Sequence, residues 1–355
     1  MKIGALVREL RDRFRDKGLE TADLDARFLV ADALDLDVSA VILYTDDEAS
    51  AKACGKARVY CEKRLSGMPV GRILGHREFW GLEFGLNAET LEPRPDTETL
   101  VEAVLERTPA DKRFVFADIG TGTGAIAVAL LSERTDSLGV AVDISEGALQ
   151  CAAENAARIG VANRLLCVRG DYCAALGPGF DWIISNPPYI ASAVVEGLGR
   201  EVRDHDPRRA LDGGIDGLDA YRSIITQAKN CLSVNGRIAL EIGFDQADSV
   251  ASLLGDYGFL LLKSFRILAE TTGFLLQSET KNRRFKPVAK NRLEIRTETV
   301  RFTSPRPEQV ISKLRSTPIR QRGDRRLSVL EFVAQRMTRT FGLSQKPASA
   351  SVADR

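Results

Sequence analysis

Histidine is scarce in this chain. Its 355 residues include two, His76 and His205, with three methionines and two tryptophans. With so few imidazoles a zinc centre would need paired thiolates. The six cysteines (Cys54, Cys61, Cys151, Cys167, Cys173 and Cys231) contain no CxxC spacing. Neither a metal site nor a disulfide framework is expected, and scattered thiols suit a reducing cytoplasm. No apolar run approaches the roughly 18 residues of a membrane span. The opening stretch, MKIGALVRELRDRFRDKG, carries charges through what would be the apolar core of an export signal, so a cytoplasmic protein without membrane contact is expected. Net charge is also nearly absent, at +1, but it is unevenly placed. From Glu279 to Arg355 there are 19 basic against 7 acidic residues, which leaves −11 on residues 1–278. An acidic body is not built to grip a phosphate backbone, so no nucleic-acid partner is expected for it.

The length allows two domains. Residues 1–75 read as helices. ALVRELRDRF has apolar positions at 6, 7, 10 and 14, and TADLDARFLVADAL is expected to start at Thr21 as N-cap and to share Leu24, Phe28 and Leu29 on one face. EASAKACGKARVYCEKRLSG reads as a third long helix. No chemical motif lies here, and a docking role is expected. HREFWGLEFGL then alternates like a hairpin turning at Gly81, and PRPDTETLVEAVLER opens a helix capped by Asp96 or Thr97. Strands and helices alternate from there to GRIALEIG. Repeated β-α units imply an α/β fold, a Rossmann-like doubly wound and mostly parallel sheet, with its site at the carboxyl ends of the strands. The expected division is 1–75 helical, 76–278 the α/β domain with its hairpin, and 279–355 a basic, poorly ordered tail.

Four strand ends carry chemistry. ADIGTGTGAIA places Asp118, Gly120, Thr121, Gly122, Thr123 and Gly124 in a tight turn before a helix, where missing side chains let a ligand approach the backbone. Asp143 ends the next strand, where an acid can accept from both hydroxyls of a ribose, although DIS could equally be a helix cap. Asp171 and Tyr172 end the third and could bind an adenine amino group and cover its ring. The fourth ends in DWIISNPPYI. Two prolines remove two donors and fix φ, so the loop is rigid. The side-chain oxygen of Asn186 and the carbonyl of Pro187 then form an acceptor pair for both hydrogens of a planar NH2 group, while Tyr189 packs on its flat face. Such a pair aims a delocalised nitrogen lone pair at an electrophilic methyl.

In this order, DIGTGTG, DIS, GDY and NPPY resemble class I S-adenosylmethionine-dependent amino methyltransferases. More narrowly, GMPVGRILGHREFWGLEFGL, LEPRPDTETLVE, ISNPPYI, RRALDGGIDGLDAYRSI and LEIGFDQ resemble the HemK/PrmC-type release factor glutamine methyltransferases, up to about Arg266. The resemblance implies S-adenosylmethionine as cofactor. It implies as substrate the glutamine of the Gly-Gly-Gln loop in class-1 peptide chain release factors, methylated on its side-chain nitrogen. The Gly120–Gly124 turn, Asp143, Tyr172 and Asn186 would meet the cofactor, and Asn186, Pro187, Pro188 and Tyr189 the glutamine. Arg94 and Glu98, in PRPDTE, are read as framing the mouth of the site, or else as a helix-capping ion pair. Tyr172 stands where the family often has tryptophan, and Gly71 and Arg72 where it commonly has an aromatic. Glu201, His205 and Asp206 follow NPPY in a loop, with His205 expected to face solvent. A monomer is expected.

After Arg266 the resemblance stops. Where the family has a segment like DFGGNDRV, this chain reads ILAETTG, and one DNA spelling of Asp-Phe-Gly-Gly-Asn-Asp-Arg read from its second base gives Ile267 to Gly273. A frame slip there is expected to leave the tail out of frame and the last strand poorly formed. The helical periodicity of PEQVISKLRS and LSVLEFVAQRMTRTF keeps an RNA-binding tail open. Two rival functions stand beside protein methylation: an adenine-N6 nucleic acid methyltransferase, which must flip a base, and a non-catalytic cofactor-binding module.

Overall fold

A computed structural model of the chain describes residues 1–266 and 274–280. Segment 267–273 and the tail from 281, with the frame slip and tail helices expected there, lie outside the described residues.

Five helices come first: Ile3–Asp16, Ala22–Leu34, Val38–Leu43, Ala51–Leu65 and Val70–Leu74. Leu6, Leu10, Phe14, Leu29, Val30 and Cys61 close a core of their own. The second helix turns differently from expectation. Leu24 and Phe28 are exposed at 50% and 38%, and the buried stripe is Ala22, Asp25, Ala26, Leu29 and Val30. That stripe keeps the three-four spacing of a helix face, and it tolerates Asp25 because Arg64 Nε donates to its carboxylate at 2.7 Å. Thr21 does not cap the helix; its hydroxyl donates to Asp25 Oδ2 at 2.9 Å. Ser50 does cap its helix, accepting from Ala53 N at 3.2 Å.

A hairpin of β1 (His76–Phe79) and β2 (Leu82–Gly85) follows, turning at Trp80 and Gly81. The remaining strands are β3 (Val115–Ile119), β4 (Leu138–Asp143), β5 (Leu165–Arg169), β6 (Phe180–Ser185), β7 (Leu232–Ile242), β8 (Phe259–Arg266) and β9 (Phe274–Thr280). They form one sheet in the order β5-β4-β3-β6-β7-β9-β8, parallel through the first five and antiparallel at β9. Side chains alternate across it. On β6, Trp182 and Ile184 join the layer of helices Glu98–Glu106 and Ala125–Glu133, while Ile183 joins that of Asp219–Cys231 and Ala247–Asp256. Covered on both faces, the parallel strands are mostly apolar, with acids such as Asp118, Asp143 and Glu241 toward their carboxyl ends. The sheet is therefore doubly wound, and the crossovers depart in opposite directions from β3. The crevice between the carboxyl ends of β3 and β6 is the topological switch point.

The last strand departs from expectation. Residues 274–280 pair along their length with β7 and β8, so the last strand is formed, and it crosses the boundary drawn at 279.

Candidate active site

The switch point opens into a cavity of about 320 Å³, within the size range of small-molecule sites. Each predicted strand end reaches it, but with different duties. Gly120 and Gly122 lie at φ 70° and 54°, and a Cβ on either would meet no protein atom within 4 Å. The loop thus turns bare backbone toward open space, and a side chain would fill that space. Gly124, at φ 80°, does not line the cavity; a Cβ there would come within 3.0 Å of the Ala152 Cβ, so its role is helix-to-helix packing.

Asp118 lies beneath the loop, fully buried, rather than in the cavity. Its Oδ2 accepts from the Thr121 hydroxyl at 2.6 Å and its Oδ1 has no partner, so burial pushes its pKa up to about 7. Asp143 ties two loops together: Oδ2 accepts from Gly122 N at 3.0 Å, and Oδ1 from Ser145 N at 2.9 Å. It is not the helix cap. Ser145 caps the helix Glu146–Ile159, leaving both Asp143 oxygens with lone pairs for a vicinal diol. Asp171 is exposed and Tyr172 half-buried, its backbone held at φ 50°, and both line the cavity.

Asn186 and Pro188 line the opposite wall, while Pro187 is buried behind it. Tyr189 turns away from the cavity and packs on the core beside Tyr221, and its carbonyl accepts from Gln246 Nε2 at 2.9 Å. Burial drives its phenol pKa upward. Asn186 Nδ2 donates to Thr97 Oγ1 at 2.9 Å. Thr97, expected as a helix cap, makes no capping bond and ends a 3-10 turn, Pro95–Thr97, that brings its hydroxyl to the NPPY loop. Among the described residues no hydrogen bond occupies Asn186 Oδ1, which is therefore the free acceptor of that amide.

Arg94 and Glu98 do not pair. Arg94 lines the cavity and its Nη2 donates to Asp206 Oδ2 at 2.7 Å. Glu98 stays outside, accepting from Trp80 N at 2.8 Å, and so fastens the hairpin to its helix instead of framing the mouth. Two residues of the following loop also find roles. Asp206 receives Arg72 Nη2 as well, at 2.7 Å, and Glu201 receives Arg64 Nη1 at 2.7 Å, whereas His205 is half-buried. Arg72 further donates to the Asn87 and Thr90 carbonyls, and Gly71 admits Glu92, whose Oε1 would lie 2.5 Å from a Cβ. Positions 71 and 72 thus join the helices to the site in place of an aromatic contact.

Glu89, Glu92 and Arg209 also line the cavity and carried no sequence signal. With Asp143 and Asp171 they give four acids against the two arginines Arg94 and Arg209. That balance suits a positively charged ligand. Among the described residues no cluster suits a metal ion, and no helix is long and apolar enough to cross a membrane.

Residues 5–75 match the family model described as PrmC N-terminal domain, and residues 95–201 that described as Methyltransferase small domain. The release factor glutamine methyltransferase of Bradyrhizobium diazoefficiens is 48% identical over 260 residues, 71% of this chain and 86% of that one. The protein of the same name from Agrobacterium fabrum is 43% identical over 271 residues, 74% and 93% of the two chains. That from Caulobacter vibrioides is 36% identical over 260 residues, 73% and 90%. Likeness of this degree, over nearly the whole of each relative, shows that the chain belongs to the release factor glutamine methyltransferase family.

Proposed function

We propose that this chain transfers the methyl group of S-adenosylmethionine to the side-chain nitrogen of the Gly-Gly-Gln glutamine in class-1 release factors. When bound, S-adenosylmethionine supplies a methyl carbon on a cationic sulfur. The residues present fit it: bare glycine backbone at Gly120 and Gly122, an acid with free lone pairs at Asp143, an aromatic face at Tyr172 and an acidic wall. Thr121, Thr123 and Asp171 complete that side of the cavity, and Asp118 supports the loop from below.

The observation that carries the reading is the Asn186 amide. Its NH2 is held by Thr97 and Glu241, so its oxygen is left to accept a hydrogen from the substrate NH2. The rigid carbonyl of Pro187, between the wall residues Asn186 and Pro188, is assigned the second hydrogen, and Pro188 flanks the group. Holding both hydrogens in acceptor directions draws electron density back onto nitrogen and favours its pyramidalisation as the new C–N bond forms. No strong base is needed, because the nitrogen becomes acidic once methylated, and its surplus proton passes to water. Arg94 edges the same opening and is assigned to substrate backbone or side-chain carbonyls. Residues 1–75 are assigned to docking the release factor, and the enzyme is read as a cytoplasmic monomer.

The test uses methyl-labelled S-adenosylmethionine, a class-1 release factor, and a copy with the loop glutamine replaced. Label on the intact factor alone is the expected result. Cofactor binding with no label on the factor, or label on adenine in DNA, would sink the assignment.

A further inference from the structure

Glu241 sits at the end of β7, 3% exposed, inside an otherwise apolar strand end, Ile238-Ala239-Leu240-Glu241-Ile242. Its carboxyl has side-chain hydrogen bonds with Thr97 and Asn186, and its Oε2 has no partner. A buried carboxyl at this depth is costly unless it does something. We propose that Glu241 is the positioning residue that fixes which way the Asn186 amide faces, acting directly on its NH2 and through the hydroxyl of Thr97. This rests on the methyl-transfer reading above.

The argument is a count of protons. A hydroxyl has one hydrogen and can either donate or accept toward a given neighbour. Thr97 by itself therefore places no constraint on Asn186, whose amide could present oxygen or nitrogen to it with equal ease. An ionised carboxylate can only accept. Once Glu241 takes the Thr97 hydrogen, Thr97 Oγ1 must accept from Asn186, so Asn186 has to present Nδ2. The observed 2.9 Å bond has that sense, and Oδ1 is turned to the cavity. A glutamine NH2 then finds an acceptor rather than a second donor.

Protonation undoes the device. A neutral Glu241 can donate to Thr97, whose hydroxyl is then free to donate to Asn186; the amide can turn over and present NH2 to the substrate NH2. Burial and Asp96 favour that neutral form, and Arg94, Thr97 and Asn186 favour the ionised one, for a pKa of about 7. The phenols of Tyr189 and Tyr221 face the same carboxyl and stay neutral, because burial raises both. Methyl transfer should therefore weaken as pH falls through about 7.

The experiment compares the full-length wild type with E241Q, T97V and T97S. One readout needs no turnover: the side-chain NH2 signal of Asn186 in a nitrogen-15 spectrum, assigned by its loss in N186D. It should titrate near pH 7 in wild type and stop titrating in E241Q. The other is methyl transfer from about pH 5.5 to 9, beside cofactor affinity by calorimetry and thermal midpoint. E241Q should lose the acid limb and about ten- to a hundredfold in kcat, with cofactor affinity within about twofold. T97V, which keeps the direct bond from Asn186 to Glu241, should lose less, and T97S should restore wild-type rates. An Asn186 signal that ignores pH, an E241Q enzyme that keeps its acid limb and rate, or a T97S enzyme as slow as T97V would each overturn the proposal. A titrating signal in a wild type that fails to methylate the factor would support the positioning and refute the assigned substrate.

Discussion

Asp206 stands between two arginines, accepting from Arg72 Nη2 through Oδ1 and from Arg94 Nη2 through Oδ2, both at 2.7 Å. Its side chain is 3% exposed, and that of Arg72 is 9% exposed. One carboxylate thus ties the last N-terminal helix, the PRPDTE loop and the segment after NPPY to a single point at the cavity rim. D206N should leave the buried Arg72 guanidinium without its counter-charge and cost about 3 kcal/mol of stability. Arg94 would also be freed, so KM for the release factor should rise while cofactor affinity holds. Urea denaturation and steady-state kinetics check the two halves separately.

Gly120 gives a cleaner separation of folding from binding. Alanine at φ 70° costs on the order of 1 kcal/mol, and its methyl meets no protein atom within 4 Å. G120A should melt only a few degrees lower, yet lose about tenfold or more in affinity for S-adenosylmethionine. Calorimetric titration beside a thermal melt decides it; equal and small effects on both would remove the glycine loop from the cofactor site.

Asp118 and Glu241 set a pH trend in stability. Each pKa is raised to about 7, from 3.8 and 4.5, by burial first. A folded-state pKa above the unfolded one favours the protonated native form. The contribution is complete below about pH 4 and is lost as pH rises to about 7. It is on the order of 3 kcal/mol for each group. D118N and E241Q should flatten the slope of unfolding free energy between about pH 4 and 7. Denaturant melts across that window measure it, and an unchanged slope would contradict the burial argument. The enzyme thus becomes less stable over the same range in which Glu241 becomes able to orient Asn186.

The exposed apolar side chains of the N-terminal helices offer a docking test. Ile42 is 52% exposed and Leu43 74%. Changing both to aspartate should raise KM for the release factor about tenfold and leave cofactor affinity and the thermal midpoint nearly unchanged. Equal effects on KM and cofactor affinity would argue against a docking role.

What the chain reveals before folding, and what it hides, follows from how far apart the cooperating groups lie. The strand-turn-helix order and the runs IGTGTG, DIS and NPPY are each continuous in sequence, so their meeting at the strand ends could be read from β-α alternation alone. Thr97, Asn186 and Glu241 come from three separate stretches and meet only because β6 and β7 are neighbours beside the Pro95–Thr97 turn. The signal for Glu241 was present as a single acid in an apolar strand end. Glu98 misled because it neighbours Arg94 in sequence while the turn sends the two side chains to different partners, Trp80 and Asp206. On the second helix, Leu24 and Phe28 outweighed the smaller Ala22 and Ala26 by hydrophobicity, although the small residues are the ones that pack.

The paired arginines have a consequence for engineering by recombination. Arg64 and Arg72 belong to the helical segment, but their carboxylate partners Glu201 and Asp206 lie more than a hundred residues downstream, in the loop that follows the NPPY turn. A chimera that takes residues 1–75 from one parent and the rest from another would separate each arginine from the acid that evolved beside it. Module exchange in this fold therefore has to move two distant pieces together, the helices and residues 196–212, because the unit that these ion pairs hold together is discontinuous in the gene.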